Sequence, residues 1–298
     1  MKVRMTVLVF LLVTTASWGV EQRRIQPGPA AFFWKIEGQG VSGHLLASIS
    51  FVDKNNYPLP AAMKKAFRES SSLILPLSVS PGEEKRMAAL MLQKGLYIGE
   101  KCLQDELSPA VLSEMERMLK EFGQDPKAFA KVKPWFVGVS LTVAEFNRLG
   151  YNPEEGLIPY LQRKLKNKKK ETGLLQYGKW ISLLDGFSRE ENELFLRTSM
   201  QYCRFMRKKH GLLRDSWLGG DMKTLEKEFQ GQWLGFPELQ KFQQWLDAKT
   251  NRLAYGRLHQ AMKANPGFFM VFDIEKVIGE NGLLRWFKKN GYRLTPIR

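Results

Sequence analysis

Apolar strand-like runs at the two ends of the chain, with a long helix-forming stretch between them, constrain the fold more than any other feature of the sequence. Near the amino end, Ala31–Glu37 (Ala-Phe-Phe-Trp-Lys-Ile-Glu) and His44–Val52 flank a Gly-rich turn and read as a hairpin. Pro58 and Pro60 then open a helix over 61–69, since proline's missing N–H costs nothing in the first turn. Leu73–Val79 is a short apolar run, the mark of a buried strand. This β–α–β order predicts a third strand pairing near the second. At the far end, Gly267–Ile274 (Gly-Phe-Phe-Met-Val-Phe-Asp-Ile) reads as another buried strand, followed by a helix over 282–289. Tyr292–Ile297 reads as an edge strand, where Pro296 need donate to no neighbour.

Between the ends the apolar spacing is helical. Met87, Leu90 and Met91 recur at i, i+3 and i+4 in a helix over 82–96. Ser108 is placed to cap the next helix, whose inward face is Leu112, Met115, Met118 and Leu119. Helices follow over 135–149, with Gly150 as stop, and over 153–165. Thr172–Leu175 suggests a short strand. The stretch 188–206 is amphipathic, with Leu194, Phe195, Tyr202 and Phe205 inward. Gly219-Gly220-Asp221 starts a short helix, and 237–263 reads as the longest one. The expectation is one α/β domain over 31–298: a mixed sheet formed by N- and C-terminal strands, with a large helical insertion.

The first residues belong to another class of segment. Lys2 and Arg4 precede the apolar run Thr6–Val13, then Thr14-Thr15-Ala16-Ser17-Trp18-Gly19. A charged start, a short apolar stretch and small residues are the pattern of a signal peptide, here over 1–19 with cleavage after Gly19 or Ala16. The polar stretch 20–30, with Pro27, Gly28 and Pro29, is a linker. The expected product is an exported protein, periplasmic or extracellular, that does not span the membrane after cleavage. Of the formal net charge of +16, Lys2 and Arg4 contribute two, leaving 16 − 2 = +14 on the mature chain. That excess favours acidic partners, and in an exported protein an anionic envelope lipid or glycan, or a protein, is expected rather than nucleic acid. Cys102 and Cys203, the two cysteines, leave a bridge and two free thiols both open. With three scattered histidines (His44, His210, His259) they form no spaced zinc motif.

Phe33-Trp34-Lys35-Ile36, Leu45–Ser50, Tyr57-Pro58-Leu59-Pro60, Gly150-Tyr151, Gly156–Leu161, Gly173–Gln176 and Gly220-Asp221, in that order, resemble the TraB/GumN (Tiki-like) family of hydrolases. Phe33-Trp34-Lys35-Ile36 matches the family's opening strand. Leu45-Leu46-Ala47-Ser48-Ile49-Ser50 stands where Leu-Gly-Thr-x-His is expected, and Asp53 with Tyr57-Pro58-Leu59-Pro60 matches the next segment. Gly150-Tyr151 and Gly156–Leu161 are similar to the Gly-x-Asp-x-x-Leu helix, Gly173-Leu174-Leu175-Gln176 to Gly-Leu-Glu-Thr, and Gly220-Asp221 to a Gly-Asp pair. Lys249–Arg252, Asp273–Gly279 and Gly291–Leu294 fall where an Arg-Asn pair, Gly-Ala-Gly-His-Leu-x-Gly and the family's tail are expected. The resemblance implies a fold EreA/ChaN-like in character and a metal-dependent peptidase or related hydrolase.

The side chains for that chemistry are missing. Ser50 stands at the first histidine, Pro76 at the strand glutamate, Ile158 at the helix aspartate, Leu175 at the second glutamate, and Lys276 at the last histidine. The Arg-Asn pair falls on Lys249-Thr250 or on Thr250-Asn251. Serine is a poor ligand for a divalent ion, and proline, isoleucine and leucine offer no side-chain donor. A lysine ammonium repels a cation. These degenerate positions imply an inactive pseudoenzyme acting by binding, with no cofactor. The alternative is an active hydrolase whose divalent metal is held by Asp273, Glu275 or Asp53.

Other residues carry weaker suggestions. Ser50 and His44 share a strand face but stand about 20 Å apart at ~3.3 Å per residue, too far to act as a pair; His44 reads as a strand-edge residue. Asp273 and Glu275 with Lys276 read either as an acid/base cluster or as a solvated turn, the latter favoured. Arg163, Lys164, Lys168, Lys169 and Lys170 form one basic run, and Arg207, Lys208 and Lys209 fall in another. Each is either an anion-binding patch or a solvated helix end, where cations suit the helix dipole. Trp217, Trp233, Trp245, Phe236 and Phe242 crowd one region and are expected in the core.

Overall fold

The computed structural model describes residues 32–49, 59–77, 83–152, 155–165, 170–279 and 282–297. The signal peptide, the linker, Ser50, Asp53, Tyr57, Pro58, Lys168 and Lys169 lie outside the described residues. The sheet has six strands: β1 (Phe33–Gly38), β2 (Val41–Ser48), β3 (Ser72–Leu77), β4 (Lys170–Leu175), β5 (Phe268–Asp273) and β6 (Arg293–Pro296). The helices are α1 (Ala61–Glu69), α2 (Glu84–Gly95), α3 (Pro109–Glu121), α4 (Pro134–Arg148), α5 (Leu157–Lys164) and α6 (Tyr177–Asp185). They continue with α7 (Arg189–Gly219), α8 (Met222–Gly231), α9 (Pro237–Ala264), α10 (Ile274–Val277) and α11 (Leu283–Lys289).

The strand order is β4-β3-β5-β2-β1-β6. β1 pairs antiparallel with β2 and with β6, whereas β2, β5, β3 and β4 run parallel. The mixed sheet is thus built from both ends of the chain, with the helical part between β3 and β5, as the sequence predicts. One detail differs. The third strand does not pair with the second, because β5 lies between them. β5 is the most apolar strand, with Phe268, Phe269, Met270 and Val271 fully buried. A strand of that composition gains most from a central slot covered on both faces, so the β2–α1–β3 crossover straddles it.

β2 begins at Val41 rather than His44. Gly43 belongs to the strand because a Cβ there would stand 2.5 Å from the Phe268 ring. Glycine at this position marks a close approach between strands, not a turn. His44 is accordingly on an interior strand, half-buried and stacked on Phe33 with ring centroids 5.4 Å apart. It is not the edge residue expected.

The longest helix is α7, with 31 residues against 28 for α9. Its start is fixed by a reciprocal cap: Glu191 N–H donates to Ser188 Oγ at 3.2 Å, and Ser188 N–H to Glu191 Oε2 at 2.8 Å. It ends at Gly220, whose φ of 76° is a left-handed stop. Asp221 then caps α8 by accepting from Thr224 N–H at 3.1 Å. The Gly-Asp pair that carries part of the family resemblance is therefore a helix-to-helix junction. Ser108 precedes α3, but its hydroxyl turns away and donates to Glu193 of α7 at 3.0 Å. Helix α6, which sequence periodicity does not single out, buries Ile181 and Leu184.

Apolar side chains form three clusters. The largest joins both faces of the sheet to α1, α5, α11 and parts of α7–α9. A second lies among α3, α4 and α7, and a third gathers Trp135, Ile181, Leu184, Phe187 and Phe242. Of the aromatic group read from the sequence as core, Trp233 and Phe236 are only half-buried and join none of the three clusters. Trp217 joins the sheet core, whereas Phe242 and Trp245 belong to the third cluster. Among the described residues no helix is long and apolar enough to cross a membrane.

Candidate functional site

In an open parallel sheet, ligand sites form outside the carboxyl ends of the strands, where loops and helix starts diverge. Here that edge is made by Ser48 of β2, Asp273 of β5, Pro76 and Leu77 of β3, and Leu175 of β4. Ser48 is opposite Asp273, and Leu77 is opposite Leu175. The helical insertion closes over it. From α7, the Trp217 indole donates to the Ala47 carbonyl at 2.8 Å in a buried contact. From α9, the Arg257 guanidinium donates to the Leu174 carbonyl at 3.1 Å.

The charged groups at this edge gather where β5 ends. Asp273 caps the single turn of α10, its carboxylate accepting from Glu275 N–H at 3.0 Å. Ile274 and Val277 are fully buried and anchor that turn. Lys276 therefore leaves α10 in a set direction, and its ammonium pairs with Asp247 of α9. The Gln243 amide donates to the same Asp247 carboxylate at 2.8 Å. The Tyr255 hydroxyl, about two helical turns further along α9, donates to the Lys276 carbonyl at 3.4 Å.

Glu275 is half-buried. The Tyr202 hydroxyl of α7 donates to its Oε1 at 3.4 Å. Desolvation, and then the neighbouring Asp273 carboxylate, push the Glu275 carboxyl up to about 8; the Lys276 ammonium opposes the shift. Burial likewise raises Tyr202 and Tyr255 far above the ordinary phenol range, so both stay neutral donors. The expected solvated turn is instead a half-buried, hydrogen-bonded cluster.

The degenerate family positions divide as follows. Pro76 and Leu175 stand on adjacent strands at the carboxyl edge, and Lys276 follows the end of β5 at the same edge. Ile158 is on α5 and packs against the sheet core. Thr250 and Asn251 lie on α9 one turn beyond Asp247, and the Thr250 hydroxyl is bonded back to Leu246 O at 2.9 Å. The residues that sequence reading missed are Asp247 and Tyr202. Asp247 had a legible signal, the i, i+4 spacing to Asn251. Tyr202 had none, because it arrives from a distant part of the chain.

These side chains do not fit a divalent metal. Pro76, Ile158 and Leu175 are hydrocarbon, and the ammonium of Lys276 takes up Asp247. Among the described residues, no three His, Cys, Asp or Glu side chains converge closely enough to hold an ion.

The basic runs are partly spent within the protein. Arg207 bridges Glu121 and Glu145 at 2.8 and 2.7 Å, and Lys209 pairs with Glu228 at 2.9 Å. Arg163 and Lys164 end α5, where Lys164 lies over the Tyr160 ring, and Lys170 opens β4; Lys208 is exposed on α7. Cys102 and Cys203 are both free thiols. Burial pushes the Cys203 thiol up to about 12.

A parallel four-strand core with an antiparallel flank, and a helical part that packs on its carboxyl edge, defines a mixed α/β protein. More narrowly, the chain belongs to the TraB/PrgY/gumN family, whose family model matches residues 32–296. A search of curated proteins and a search of solved structures returned no match.

Proposed function

We propose that this chain is an exported, catalytically inactive member of the TraB/PrgY/gumN family that acts by binding. One observation carries the reading: Lys276, at the position of the family's last histidine, follows the end of β5 at the carboxyl edge and pairs its ammonium with Asp247. A fixed positive charge there opposes a divalent ion, and Pro76, Ile158 and Leu175 offer it no ligand. Without a metal, no bound water is activated for attack. The test is metal analysis of the purified protein together with a peptide-hydrolysis assay. Substoichiometric metal and no chelation-sensitive turnover are expected. Turnover that stops with EDTA and returns with manganese or zinc sinks the reading.

The amino-terminal pattern over 1–19 supports export to the periplasm or beyond. Fractionation of cells carrying the full-length, carboxyl-tagged chain checks it; a tag retained in the cytosol refutes it. The partner we favour is an anionic envelope lipid or glycan. Its support is the net charge rather than the basic run on α7, where Arg207 and Lys209 already hold carboxylates.

The second reading is a metal-dependent hydrolase with a rearranged site using Asp273 or Glu275. One feature favours it: burial, and then the neighbouring Asp273, raise the Glu275 carboxyl above the ordinary range, which suits a general acid. The same chelation assay separates the two readings.

A further inference from the structure

The amino edge of the sheet, opposite the edge where Pro76, Leu175 and Lys276 stand, gathers the ends of four helices. α1, α5, α9 and α11 are followed by β3, β4, β5 and β6 after two, five, three and three residues. β3, β4 and β5 run parallel to β2, and β6, antiparallel to β1, runs the same way. Connections this short keep each helix end at the edge where its strand starts. Hydrogen bonds tie these starts together. Lys170 N–H donates to Ser71 O at 3.4 Å, Ser71 N–H to Gly267 O at 2.9 Å, and Gly267 N–H to Ser42 O at 2.9 Å. The Gln39 amide, in the turn between β1 and β2, donates to Asn290 O just after α11. All four helices end in cations. Arg68 ends α1, Arg163 and Lys164 end α5, Lys263 ends α9, and Lys288 and Lys289 end α11; all six are exposed.

We propose that this amino edge docks the protein on the anionic head groups of a lipid bilayer, through the cations that end α1, α5, α9 and α11. A helix carboxyl end carries about half a negative charge, so one cation per helix would satisfy the dipoles. α5 and α11 carry two each, and Lys170 adds another exposed ammonium at the start of β4. Lys170, Lys263, Lys288 and Lys289 hold no carboxylate among the described residues. By contrast Lys94 and Arg148, which end α2 and α4, are held by Asp185 and Glu145. At the amino edge Glu37 is taken up by Lys35 and Arg293, at 2.8 and 2.9 Å. Against the seven cations stand Glu69, Glu171 and four helix ends equal to about two negative charges together, so the edge stays positive. The cations are spread across six strands, about 24 Å at ~4.8 Å per strand. A discrete anion meets one or two of them, whereas a plane of head groups meets all together, and each cation held near such a surface strengthens binding about fivefold. None of the large exposed apolar side chains among the described residues lies at these helix ends, so the contact is with head groups and not with hydrocarbon. The proposal rests on the binding reading above and deepens it, naming the surface and the partner.

The test is co-sedimentation of the purified mature chain with phosphatidylcholine vesicles that contain or lack phosphatidylglycerol. Binding that requires phosphatidylglycerol and weakens with salt is expected. An edge variant carrying Arg163→Gln, Lys164→Gln, Lys288→Gln and Lys289→Gln should bind about 100-fold more weakly. A second variant of the same net charge, with Lys208→Gln, Lys223→Gln, Lys227→Gln and Lys241→Gln, neutralises exposed lysines of α7, α8 and the start of α9 and should lose no more than about threefold. Unchanged binding by the edge variant, or equal losses in both variants, overturns the proposal. So does a wild type that ignores these vesicles, including one that binds soluble polygalacturonate instead. If the edge variant does not fold, Lys288→Gln with Lys289→Gln decides: a loss of about tenfold supports the proposal and no loss overturns it. The two readings fail separately. Chelation-sensitive turnover in a chain whose edge variant loses the vesicles sinks only the inactive-enzyme reading. A metal-free, inert wild type whose edge variant binds as well as itself sinks only the docking proposal.

Discussion

At the scale of single residues, Glu275 sets a pH dependence with a definite sign. Its carboxyl is raised to about 8 in the folded protein, above the ordinary carboxylate range of the unfolded chain. The folded state then holds the proton more firmly than the unfolded state, so this stability is full below about pH 4–5 and is lost as pH rises through 8. Glu275→Gln should flatten stability across that window and leave the variant about 1–2 kcal/mol more stable than wild type at pH 9, a figure discounted for the residue's partial exposure. Urea titrations at pH 5, 7 and 9 measure it, and parallel curves for the two proteins would refute it. Trp217 acts differently. Its indole N–H is a buried donor to the Ala47 carbonyl, so Trp217→Phe should cost about 2 kcal/mol through a lost buried hydrogen bond and a smaller ring. Chemical denaturation reads that directly.

At the scale of elements, the sheet depends on how closely β5 approaches β2. Gly43→Ala puts a methyl group within 2.5 Å of the Phe268 ring. The ring is fully buried and cannot swing away, so the strands must separate, at a cost of about 1–3 kcal/mol typical of overpacking. Restoration by a second change, Phe268→Leu, would confirm that the clash is the cause; equal losses in both would exclude it. Helix α7 is instead decided locally. The Ser188–Glu191 reciprocal cap is written in four consecutive residues, which is why the sequence places its start correctly. Its end is not local in that sense: the helix runs past 206 because Leu213, Trp217 and Leu218 find burial against the sheet core.

At the scale of the whole molecule, the two cysteines remain thiols in the fold. Reductant should therefore leave Tm unchanged, and a thiol count on denatured protein should give two; one bridge per chain would contradict the arrangement. The mixed sheet with its helical insertion was legible because each strand and most helices carry their own period. The position of β5 was not legible. Adjacency in a parallel sheet is chosen by which strand gains most from two covered faces, and that comparison exists only once all strands are present. The carboxyl edge of the sheet shows the same division. The amino-acid sequence alone determined that Pro76, Ile158, Leu175 and Lys276 cannot ligate a divalent ion, because donor chemistry belongs to the side chain itself. Only the tertiary structure decided what Lys276 does instead. Asp247 and Tyr202 reach the end of β5 from α9 and α7, far apart in the chain, and a charge acquires its meaning from the charges folded against it.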